Sequence, residues 1–318
     1  MLILIALAAL ILLASYGCFR IAFYAAPAKK KDPETIEIPE GEIYEVFRDQ
    51  MEQWVRLSRE LPHEDLEITS FDGLKLRGKF YEYAPGAPVE LMFHGYRGNG
   101  ERDMSGGIQR CFRVGRSALI VDQRSSGSSE GKVITMGIRE HRDCLAWLDF
   151  ALRKFGPDRK MILTGISMGA STVLMAGGTD LPENVIGILA DCGYTSPKEI
   201  LCTIMGQMKI PPAIGYPFAK LGARIFGGFD LEEWSPVEAV KRCKVPVIFF
   251  HGEADDYVPA WMSRVNYEAC ASRKRLVLIP GAGHGLAFPV DQDGYVEALY
   301  EFFGPEASHP DFQFSSAR

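Results

Sequence analysis

Residues 165–169 read GISMG, a serine with a glycine two positions away on each side. The preceding KMILT is a short apolar run typical of a buried strand, and the following ASTVLMAGG is typical of a helix. A chain that turns this abruptly needs both glycines, because a Cβ at either position would strike the adjoining backbone. Such a turn also strains Ser167 and lifts its hydroxyl clear of the sheet. The segment therefore predicts a nucleophile elbow.

A serine hydroxyl is a weak nucleophile at neutral pH, so it needs a histidine as base and a carboxylate to orient that histidine. Among the six histidines, only His284 in PGAGHG follows the last predicted strand, from where a loop can place its imidazole over the serine. HGEADDYVP follows the preceding strand and contains Asp255. The chain order serine, aspartate, histidine is the order expected for this elbow. His94 and His251 each precede a glycine at a strand end, and we expect them to bind backbone groups near the site.

The tetrahedral oxyanion formed by serine attack needs hydrogen-bond donors. One predicted donor is the backbone N–H of Met168, at the start of a helix whose dipole favours negative charge. The second is expected in HGYRGNG, after an earlier strand, and is the N–H of Tyr96. Gly95 lets the backbone approach closely there. These parts predict an acyl-enzyme reaction that needs no metal and no organic cofactor.

From residue 64 onward, short apolar runs rich in branched residues alternate with helical stretches. The runs are PVELMFHG, SALIVDQR, KMILTGIS, VIGILADCG, VPVIFFHG and RLVLIPGAG. A hairpin with Asp72-Gly73 at its turn precedes them. Strands buried on both faces and joined by helices form a mostly parallel sheet flanked by helices. In such a sheet, functional residues lie at the carboxyl ends of the strands.

Residues 195–241 interrupt this alternation before the penultimate predicted strand. They are rich in Met, Ile and Phe, and proline and glycine divide them. The interval is too long for a connecting loop and too short for a domain, so we predict a small helical lid over the strand ends. An ordinary connecting helix with its loops is the alternative.

The first nineteen residues carry no charged side chain, which is about the length that crosses a hydrocarbon core. Arg20 and Lys29–Lys31 follow, whereas a cleaved signal peptide normally carries positive charge before its apolar region. Residues 1–26 are therefore predicted to be a single-pass transmembrane anchor, with cleavage near Ala25 and Ala26 as the alternative. Because Lys and Arg tend to stay in the cytoplasm, the catalytic domain is predicted to be cytoplasmic, with the outward-facing form as the alternative.

Between the anchor and the sheet, residues 27–63 predict a short polar linker and an amphipathic helix. The helix places its apolar side chains on one face: Ile43, Phe47, Met51 and Trp54. Its polar face mixes acidic and basic residues, which favours packing against the domain over lying on anionic lipid. The domain itself is predicted over residues 64–304, with a C-terminal tail over residues 305–318.

The chain has 318 residues, 47% of them apolar, which is enough for one sizeable α/β domain with a full core. Its net charge of −6 argues against a nucleic-acid partner. The cysteines lie at positions 18, 111, 144, 192, 202, 243 and 270. No pair has the spacing of a zinc site or a redox motif, so they predict buried free thiols in a reducing compartment.

Six segments, in this order along the chain, resemble the α/β hydrolases: HGYRGNGERD, VDQRSSGSSEG, GISMGA, ADCGYTS, HGEADDYVP and GAGHG. The resemblance is closest to bacterial members of the serine-aminopeptidase-like (prolyl-oligopeptidase-like) group that carry an N-terminal membrane anchor, and it covers residues 64 to 303. It implies an α/β-hydrolase fold. VDQRSSGSSEG matches a segment that is chiefly structural in the family, which gives Asp122 and Arg124 no catalytic role.

The same resemblance implies Ser167 as nucleophile, Asp255 as acid and His284 as base. It also implies Tyr96 and Met168 as the oxyanion donors. Two further carboxylates compete for the role of the acid: Asp256 and Asp191. The family places the acid four residues after the His of the HG pair, which favours Asp255, whereas some members place it one strand earlier, at the position of Asp191.

These parts predict a serine hydrolase that acts on a small or medium apolar acyl or aryl ester, because an apolar lid suits such a group. A thioester would use the same residues. An aminopeptidase would need an acidic group for the substrate amine, which the lid residues Asp230, Glu232 and Glu233 could supply, although these residues suit helix caps better. A non-catalytic ligand-binding protein with this fold is the alternative of another class.

Overall fold

The computed structural model describes residues 1–26, 32 and 34–314, and an eight-stranded sheet forms the body of the domain. The strands are β1 (Glu64–Thr69), β2 (Lys75–Tyr81), β3 (Val89–Phe93), β4 (Ser117–Val121), β5 (Met161–Ile166), β6 (Val185–Asp191), β7 (Val247–Gly252) and β8 (Lys274–Ile279). Their order is β1-β2-β4-β3-β5-β6-β7-β8. Only β2 runs antiparallel to its neighbours, so the predicted mostly parallel sheet is confirmed.

Helices follow most of the strands. They are α1 (Leu2–Ala22), α2 (Glu42–Glu45), α3 (Arg48–Glu60), α4 (Gly100–Phe112), α5 (Glu140–Phe155), α6 (Met168–Gly177), α7 (Pro197–Gln207), α8 (Pro212–Gly222), α9 (Pro236–Val240), α10 (Trp261–Ala269), α11 (Ala287–Val290) and α12 (Gln292–Phe303). A π-helical turn over Ala223–Gly227 continues α8.

The inner strands are apolar on both faces because helices cover both sides of the sheet. In β3 the side chains alternate: Leu91 packs in the cluster that includes Trp147 of α5, and Met92 packs with Ile108 of α4. All five residues of β3 are buried. The sheet is therefore fixed from two sides, and the carboxyl ends of its parallel strands form a rigid edge.

The lid predicted over residues 195–241 contains α7, α8, the π-helical turn and α9, and it lies between β6 and β7. Ser196 begins α7 by accepting a hydrogen bond from the N–H of Glu199, and Ser235 begins α9 in the same way from Glu238. In both cases a proline follows at the first helical position, where its missing N–H costs nothing. The predicted small helical lid is confirmed in its place before the penultimate strand.

The N-terminal helix α1 has 21 residues and a mean hydropathy of 2.6, so it is long and apolar enough to cross a membrane. Its first half is exposed, whereas Ser15 and Phe19 are buried against the domain. Directly after α1 the chain pairs with a domain loop: Tyr24 bridges Val133, and the N–H of Ala25 donates to the carbonyl of Lys132 at 2.9 Å. Hydrogen bonds directly after α1 thus hold the C-terminal end of this helix against the domain.

The predicted amphipathic helix is divided into α2 and α3, because the chain bends at Val46 and Phe47. After the bend, Met51 is buried and the ring of Trp54 stacks on Phe288 with centroids 5.4 Å apart. Ile43 remains 42% exposed, so the predicted apolar face is not continuous. The predicted linker residues 27–31 and 33, including Lys29–Lys31, lie outside the described residues, as do residues 315–318 of the predicted tail.

Candidate active site

The GISMG segment forms a strained turn between β5 and α6. Ser167 has φ 55° and ψ −119°, a conformation that residues with a Cβ rarely adopt. A Cβ at Gly165 would lie 2.2 Å from the carbonyl carbon of Gly169, and a Cβ at Gly169 would lie 2.0 Å from the carbonyl oxygen of Phe93. Both glycines are therefore required by close backbone approach, as the sequence predicts.

The structure brings Ser167, His284 and Asp255 together, although they follow three different strands. His284 Nε2 lies 2.9 Å from Ser167 Oγ, and His284 Nδ1 lies 2.7 Å from Asp255 Oδ2. With its proton on Nδ1, the imidazole donates to the carboxylate and accepts the serine O–H at Nε2. This arrangement allows proton transfer away from Ser167 Oγ.

The carboxylate of Asp255 is held by four groups. Its Oδ1 accepts hydrogen bonds from the N–H groups of Tyr257 at 3.0 Å and Val258 at 2.8 Å. Its Oδ2 faces His284 and also lies 3.3 Å from His251 Nε2. Burial raises the pKa of Asp255, but the hydrogen bonds from His251 and His284 outweigh burial and lower the pKa to about 2. Asp255 is therefore ionised at neutral pH.

The two competing carboxylates lie elsewhere. Asp256 is exposed to solvent. The Oδ2 atom of Asp191 accepts a hydrogen bond from the Tyr295 hydroxyl at 3.0 Å, and burial raises the pKa of Asp191. Of the three candidates, the structure places Asp255 against the imidazole of His284.

The other two histidines at strand ends hold backbone near the site, as expected. His94 Nδ1 lies 2.7 Å from the carbonyl of Gly95, and its Nε2 accepts from the N–H of Gln123 at 2.9 Å. His251 Nε2 lies 2.7 Å from the carbonyl of Val258, and its Nδ1 lies 2.7 Å from Ser263 Oγ. Their ring nitrogens are thus occupied by neighbouring groups rather than directed at Ser167.

The loop after β3 passes beside the serine. A Cβ on Gly95 would lie 3.5 Å from the Cβ of Ser167, and the N–H of Gly95 donates to Asp103 Oδ2 at 2.9 Å, which fixes the loop. Tyr96 follows directly and lines the space at Ser167. Met168 is the first residue of α6, so its N–H has no partner within the helix. The two residues predicted to supply the donors therefore border the same space as Ser167.

Three contacts at the loop that carries His284 were not predicted from the sequence. Tyr44 in α2 donates its hydroxyl to the backbone carbonyl of His284 at 3.0 Å, across 240 residues of chain. The side chain of Ile43 would contact a Cβ on Gly283 at 3.3 Å. In addition, the ring of Tyr257 meets the imidazole edge-on, with centroids 5.1 Å apart. The contacts of Tyr44 and Ile43 hold the histidine loop from the side of the N-terminal segment.

Two cavities meet at Ser167, and Tyr96, Arg97 and Tyr257 border both. The larger, of about 890 Å³, includes His284 and several charged side chains: Glu40, Glu42, Arg102, Asp103, Asp191 and Asp256. The smaller, of about 310 Å³, is bordered mainly by apolar side chains. Ile21 and Ala22 come from α1, Ile200, Leu201 and Ile204 from the lid, and Met136, Met168 and Val258 from elsewhere in the domain. Both volumes are typical of small-molecule sites.

Among the described residues, one group has the geometry for a metal ion: the ligand atoms of Cys192, Asp255 and His284 lie within 4.8 Å of one another. Burial raises the pKa of the Cys192 thiol well above its usual value, so the thiolate that a metal would bind is disfavoured. His284 and Asp255 already hydrogen-bond to each other. This donor set suits proton transfer better than metal binding.

Comparison with known proteins gives the family. Residues 134–309 match the prolyl oligopeptidase family. The chain belongs to this family. Membership, together with the sheet topology above, identifies the protein as a hydrolase with the α/β-hydrolase fold, as the resemblance of its motifs implies.

Several relatives are uncharacterized bacterial proteins. The chain is 26% identical to YqkD of Bacillus subtilis over 190 residues, which are 59% of this chain and 62% of YqkD, less than two thirds of that relative. It is 27% identical to YfhR of Escherichia coli K12 over 250 residues, 75% of this chain and 80% of YfhR. Among solved structures, the esterase Pf2001 of Pyrococcus furiosus superimposes with a TM-score of 0.64 and 21% identity, over 88% of this chain and 97% of that one. At this identity the superposition shows the fold alone.

Proposed function

We propose that this member of the prolyl oligopeptidase family is a serine hydrolase that cleaves a carboxylic ester through an acyl-enzyme. The observation that carries the proposal is the hydrogen-bonded chain from Ser167 Oγ through His284 to Asp255, with distances of 2.9 and 2.7 Å. Ser167 is the nucleophile, His284 the general base and Asp255 the acid that orients it. The strained turn at Ser167 supports this assignment, because strain of this kind persists at functional sites.

In the first half-reaction, Ser167 Oγ attacks the ester carbonyl carbon while its proton passes to His284 Nε2. A bond forms between Oγ and carbon, and the carbonyl oxygen takes the negative charge, which the N–H groups of Tyr96 and Met168 stabilise. His284 then gives the proton to the ester oxygen as its bond to carbon breaks. The alcohol leaves, and the acyl group stays on Ser167.

In the second half-reaction, water replaces the alcohol. His284 Nε2 takes a proton from the water as the water oxygen bonds to the acyl carbon. The bond between that carbon and Ser167 Oγ breaks, Oγ takes the proton back, and the carboxylic acid leaves. Asp255, ionised at neutral pH, stabilises the protonated imidazole in both halves.

The two cavities suggest how the ester lies. His284 must reach the leaving oxygen, and it borders the larger cavity, so the alcohol is assigned to that side. The acyl group is then assigned to the smaller cavity, whose walls are mainly apolar. This favours an apolar acyl group of small to medium size.

Two of the three lid carboxylates that an aminopeptidase could use, Asp230 and Glu232, are engaged in ion pairs. Asp230 Oδ2 lies 2.7 Å from Arg224 Nη2, and Glu232 contacts Lys220. An ester therefore fits the site better than a peptide with a free amine. A thioester would use the same nucleophile and base as an ester.

Labelling and a substrate panel test the proposal. The full chain should react with an alkyl fluorophosphonate at Ser167, identified by mass spectrometry, and should hydrolyse p-nitrophenyl esters faster than aminoacyl p-nitroanilides. Preference for the anilides would move the substrate class to peptides. An absence of labelling with an intact fold would overturn the serine mechanism and favour a non-catalytic ligand-binding protein.

For localisation, α1 supports a single-pass membrane protein whose catalytic domain is cytoplasmic. All positive side chains near the apolar segment, Arg20 and Lys29–Lys31, follow it in the chain. Across the described residues all seven cysteines are free, which suits a reducing compartment. Protease added to spheroplasts should spare the domain until the membrane is lysed. Digestion before lysis would place the domain outside.

A further inference from the structure

The end of helix α1 belongs to the wall of the smaller cavity. Ile21 and Ala22 border this cavity together with Ser167 and Met168. Two aromatic side chains from the same end of the helix, Phe19 and Phe23, are buried in the cluster that contains the lid residues Ile200 and Leu201. A segment long and apolar enough to cross a membrane is therefore continuous with the space beside the nucleophile.

The same helix end is fastened to the loop that carries the proposed oxyanion donor. The Tyr96 hydroxyl donates to the carbonyl of Ala22 at 2.8 Å. Arg97 Nη2 donates to the carbonyl of Ile21 at 2.8 Å and to that of Tyr24 at 3.2 Å. These carbonyls lie at the end of α1, where partners within the helix are missing and a cation is favoured. Helix and loop thus form one rigid unit at Ser167.

Further back along the helix, α1 packs closely on the lid. A Cβ on Gly222 of α8 would lie 2.3 Å from the carbonyl oxygen of Ser15, so the two backbones touch in a way that only glycine permits. The ring of Phe226 lies against Tyr16 and Phe19, with centroids 5.1 and 5.9 Å away. The lid is therefore joined to a part of α1 that lies within its apolar segment.

The depth of this contact follows from helix geometry. The uncharged segment ends at Phe19, and Arg20 marks the level of the membrane surface. Ser15 lies five residues before Arg20, about 7.5 Å deeper at a rise of 1.5 Å per residue. Amphipathic elements that rest on bilayers are buried to about 5–10 Å. The lid also exposes apolar side chains, which suits contact with a bilayer: Met208, Ile210, Ile214, Ile225 and Phe226.

We propose that α1 is retained as a membrane anchor and that the smaller cavity, walled by its last turn, takes the acyl chain of an amphiphilic ester resident in that bilayer. The proposal rests on the serine-hydrolase function proposed above and names its substrate class. The acyl chain passes from the hydrocarbon region past Ile21 and Ala22 to Ser167. The polar alcohol occupies the larger, charged cavity, and the bond changes are those of the two half-reactions.

Surface dilution distinguishes a bilayer substrate from a dissolved one. The full chain is reconstituted in phosphatidylcholine vesicles that contain p-nitrophenyl palmitate, and p-nitrophenyl acetate is supplied in water. Adding phosphatidylcholine at constant bulk palmitate ester should lower the palmitate rate in proportion to its mole fraction in the membrane, and should leave the acetate rate unchanged. A palmitate rate independent of mole fraction overturns the proposal.

A variant of the cavity wall tests the role of α1. Ala22→Phe should lower the ratio of palmitate to acetate kcat/KM by about tenfold or more, because an added ring overfills the narrow passage. The matched control is Leu7→Phe, an exposed position on the same helix, which should leave the ratio unchanged. If Ala22→Phe does not fold, judged by circular dichroism, Ala22→Leu serves with a smaller expected fall. An unchanged ratio in a folded wall variant contradicts the proposal.

Two further outcomes separate this inference from the function on which it rests. A wild-type chain that is labelled by fluorophosphonate and hydrolyses the acetate ester, but not palmitate in vesicles, overturns the bilayer substrate alone. A chain that is neither labelled nor active overturns the serine-hydrolase function as well.

The intact mass of the protein purified from its own membranes should include residues 1–26. Loss of these residues removes the cavity wall and overturns the proposal.

Discussion

The two cavities that meet at Ser167 differ in their walls and in how the chain builds them. The larger cavity has charged walls, contains His284 and is closed by α2 and α3 packed against the domain. The smaller cavity has mainly apolar walls, to which the lid and the last turn of α1 contribute. In the proposed function, the larger one serves proton transfer and the polar part of the substrate. Besides the residues shared at Ser167, Tyr194 is the one titratable side chain among the described residues that line the smaller cavity, and burial raises the pKa of its hydroxyl well above the usual value. In the proposed function this cavity therefore serves shape and apolar contact.

This difference separates reactivity from selectivity. The reactive groups of the proposed mechanism follow the parallel strands β5, β7 and β8, and the sheet fixes the positions of these strand ends. The walls of the smaller cavity come from segments as distant in sequence as Ala22, Met136 and Leu201. A change in the first region should alter kcat for every substrate, whereas a change in the second should alter which substrate is preferred.

The largest effect is expected at the point that both cavities share. Ser167→Ala should lower kcat about 10⁴-fold or more for all esters and abolish fluorophosphonate labelling, because Oγ is the atom that carries the acyl group. Steady-state kinetics with p-nitrophenyl acetate and p-nitrophenyl hexanoate measure it. Ser58→Ala is the matched control, since Ser58 is buried in α3 and bonds only to the carbonyl of Trp54. More than about a hundredth of the wild-type kcat in Ser167→Ala would rule out this serine as nucleophile.

The next largest fall in kcat is expected from substitution of Asp255, the proposed acid of the triad. Asp255→Asn should lower kcat about 10³- to 10⁴-fold, because the amide disfavours the imidazole tautomer that accepts the serine proton and removes a charge present at neutral pH. Asp256→Asn should be mild, since Asp256 is exposed. Asp191→Asn should also be mild for chemistry, since its carboxylate binds Tyr295. A greater loss of kcat in Asp191→Asn than in Asp255→Asn would show that the acid lies on β6.

The residues proposed to react, Ser167, Asp255 and His284, could be predicted from the sequence because their signals are local. The elbow at Ser167 shows in five residues, since two backbones approach so closely that only glycine fits at positions 165 and 169. The strands show as short apolar runs because they are buried on both faces. Once strands are placed, the parallel sheet brings their carboxyl ends together, and the spatial approach of Asp255 and His284 follows.

The walls of the cavities could not be predicted in the same way, because they depend on how distant segments pack. Nothing in the sequence near Tyr44 indicates that its hydroxyl binds the carbonyl of His284. The sequence of α1 predicts a membrane anchor, but not that Ala22 borders a cavity or accepts a hydrogen bond from Tyr96. Gly222 is a local signal of a different contact, the packing of α8 on α1 at Ser15, since a glycine within an apolar helix permits close approach of another backbone.

Two substitutions to tryptophan, one in each cavity, test which part of the substrate each cavity binds. Ile204→Trp, in the smaller cavity, should raise KM for p-nitrophenyl hexanoate about tenfold relative to acetate, because the indole takes up space for the acyl chain. Ile43→Trp, in the larger cavity, should change the preference between esters that one acid forms with small and with bulky alcohols. It should leave the preference between short and long acyl groups unchanged.

Kinetics with acetate and hexanoate esters, and with ethyl and naphthyl acetates, give the four comparisons. If Ile204→Trp changed alcohol preference and Ile43→Trp changed acyl preference, the two cavities would have been assigned the wrong way round. Equal effects of both substitutions on both series would mean that the substrate uses only one cavity.

The smallest effect is expected where the N-terminal segment supports the histidine loop. Tyr44→Phe removes the hydrogen bond to the carbonyl of His284 and keeps the ring, so it should cost about 1 kcal/mol, or about fivefold in kcat. Tyr44 acts as a positioning residue, so kcat should fall while KM for acetate and hexanoate changes equally little. Tyr300→Phe is the control, because Tyr300 stacks on Phe314 away from Ser167. A change in acyl preference in Tyr44→Phe would mean that this contact also shapes the smaller cavity, and that the two regions are coupled through the histidine loop.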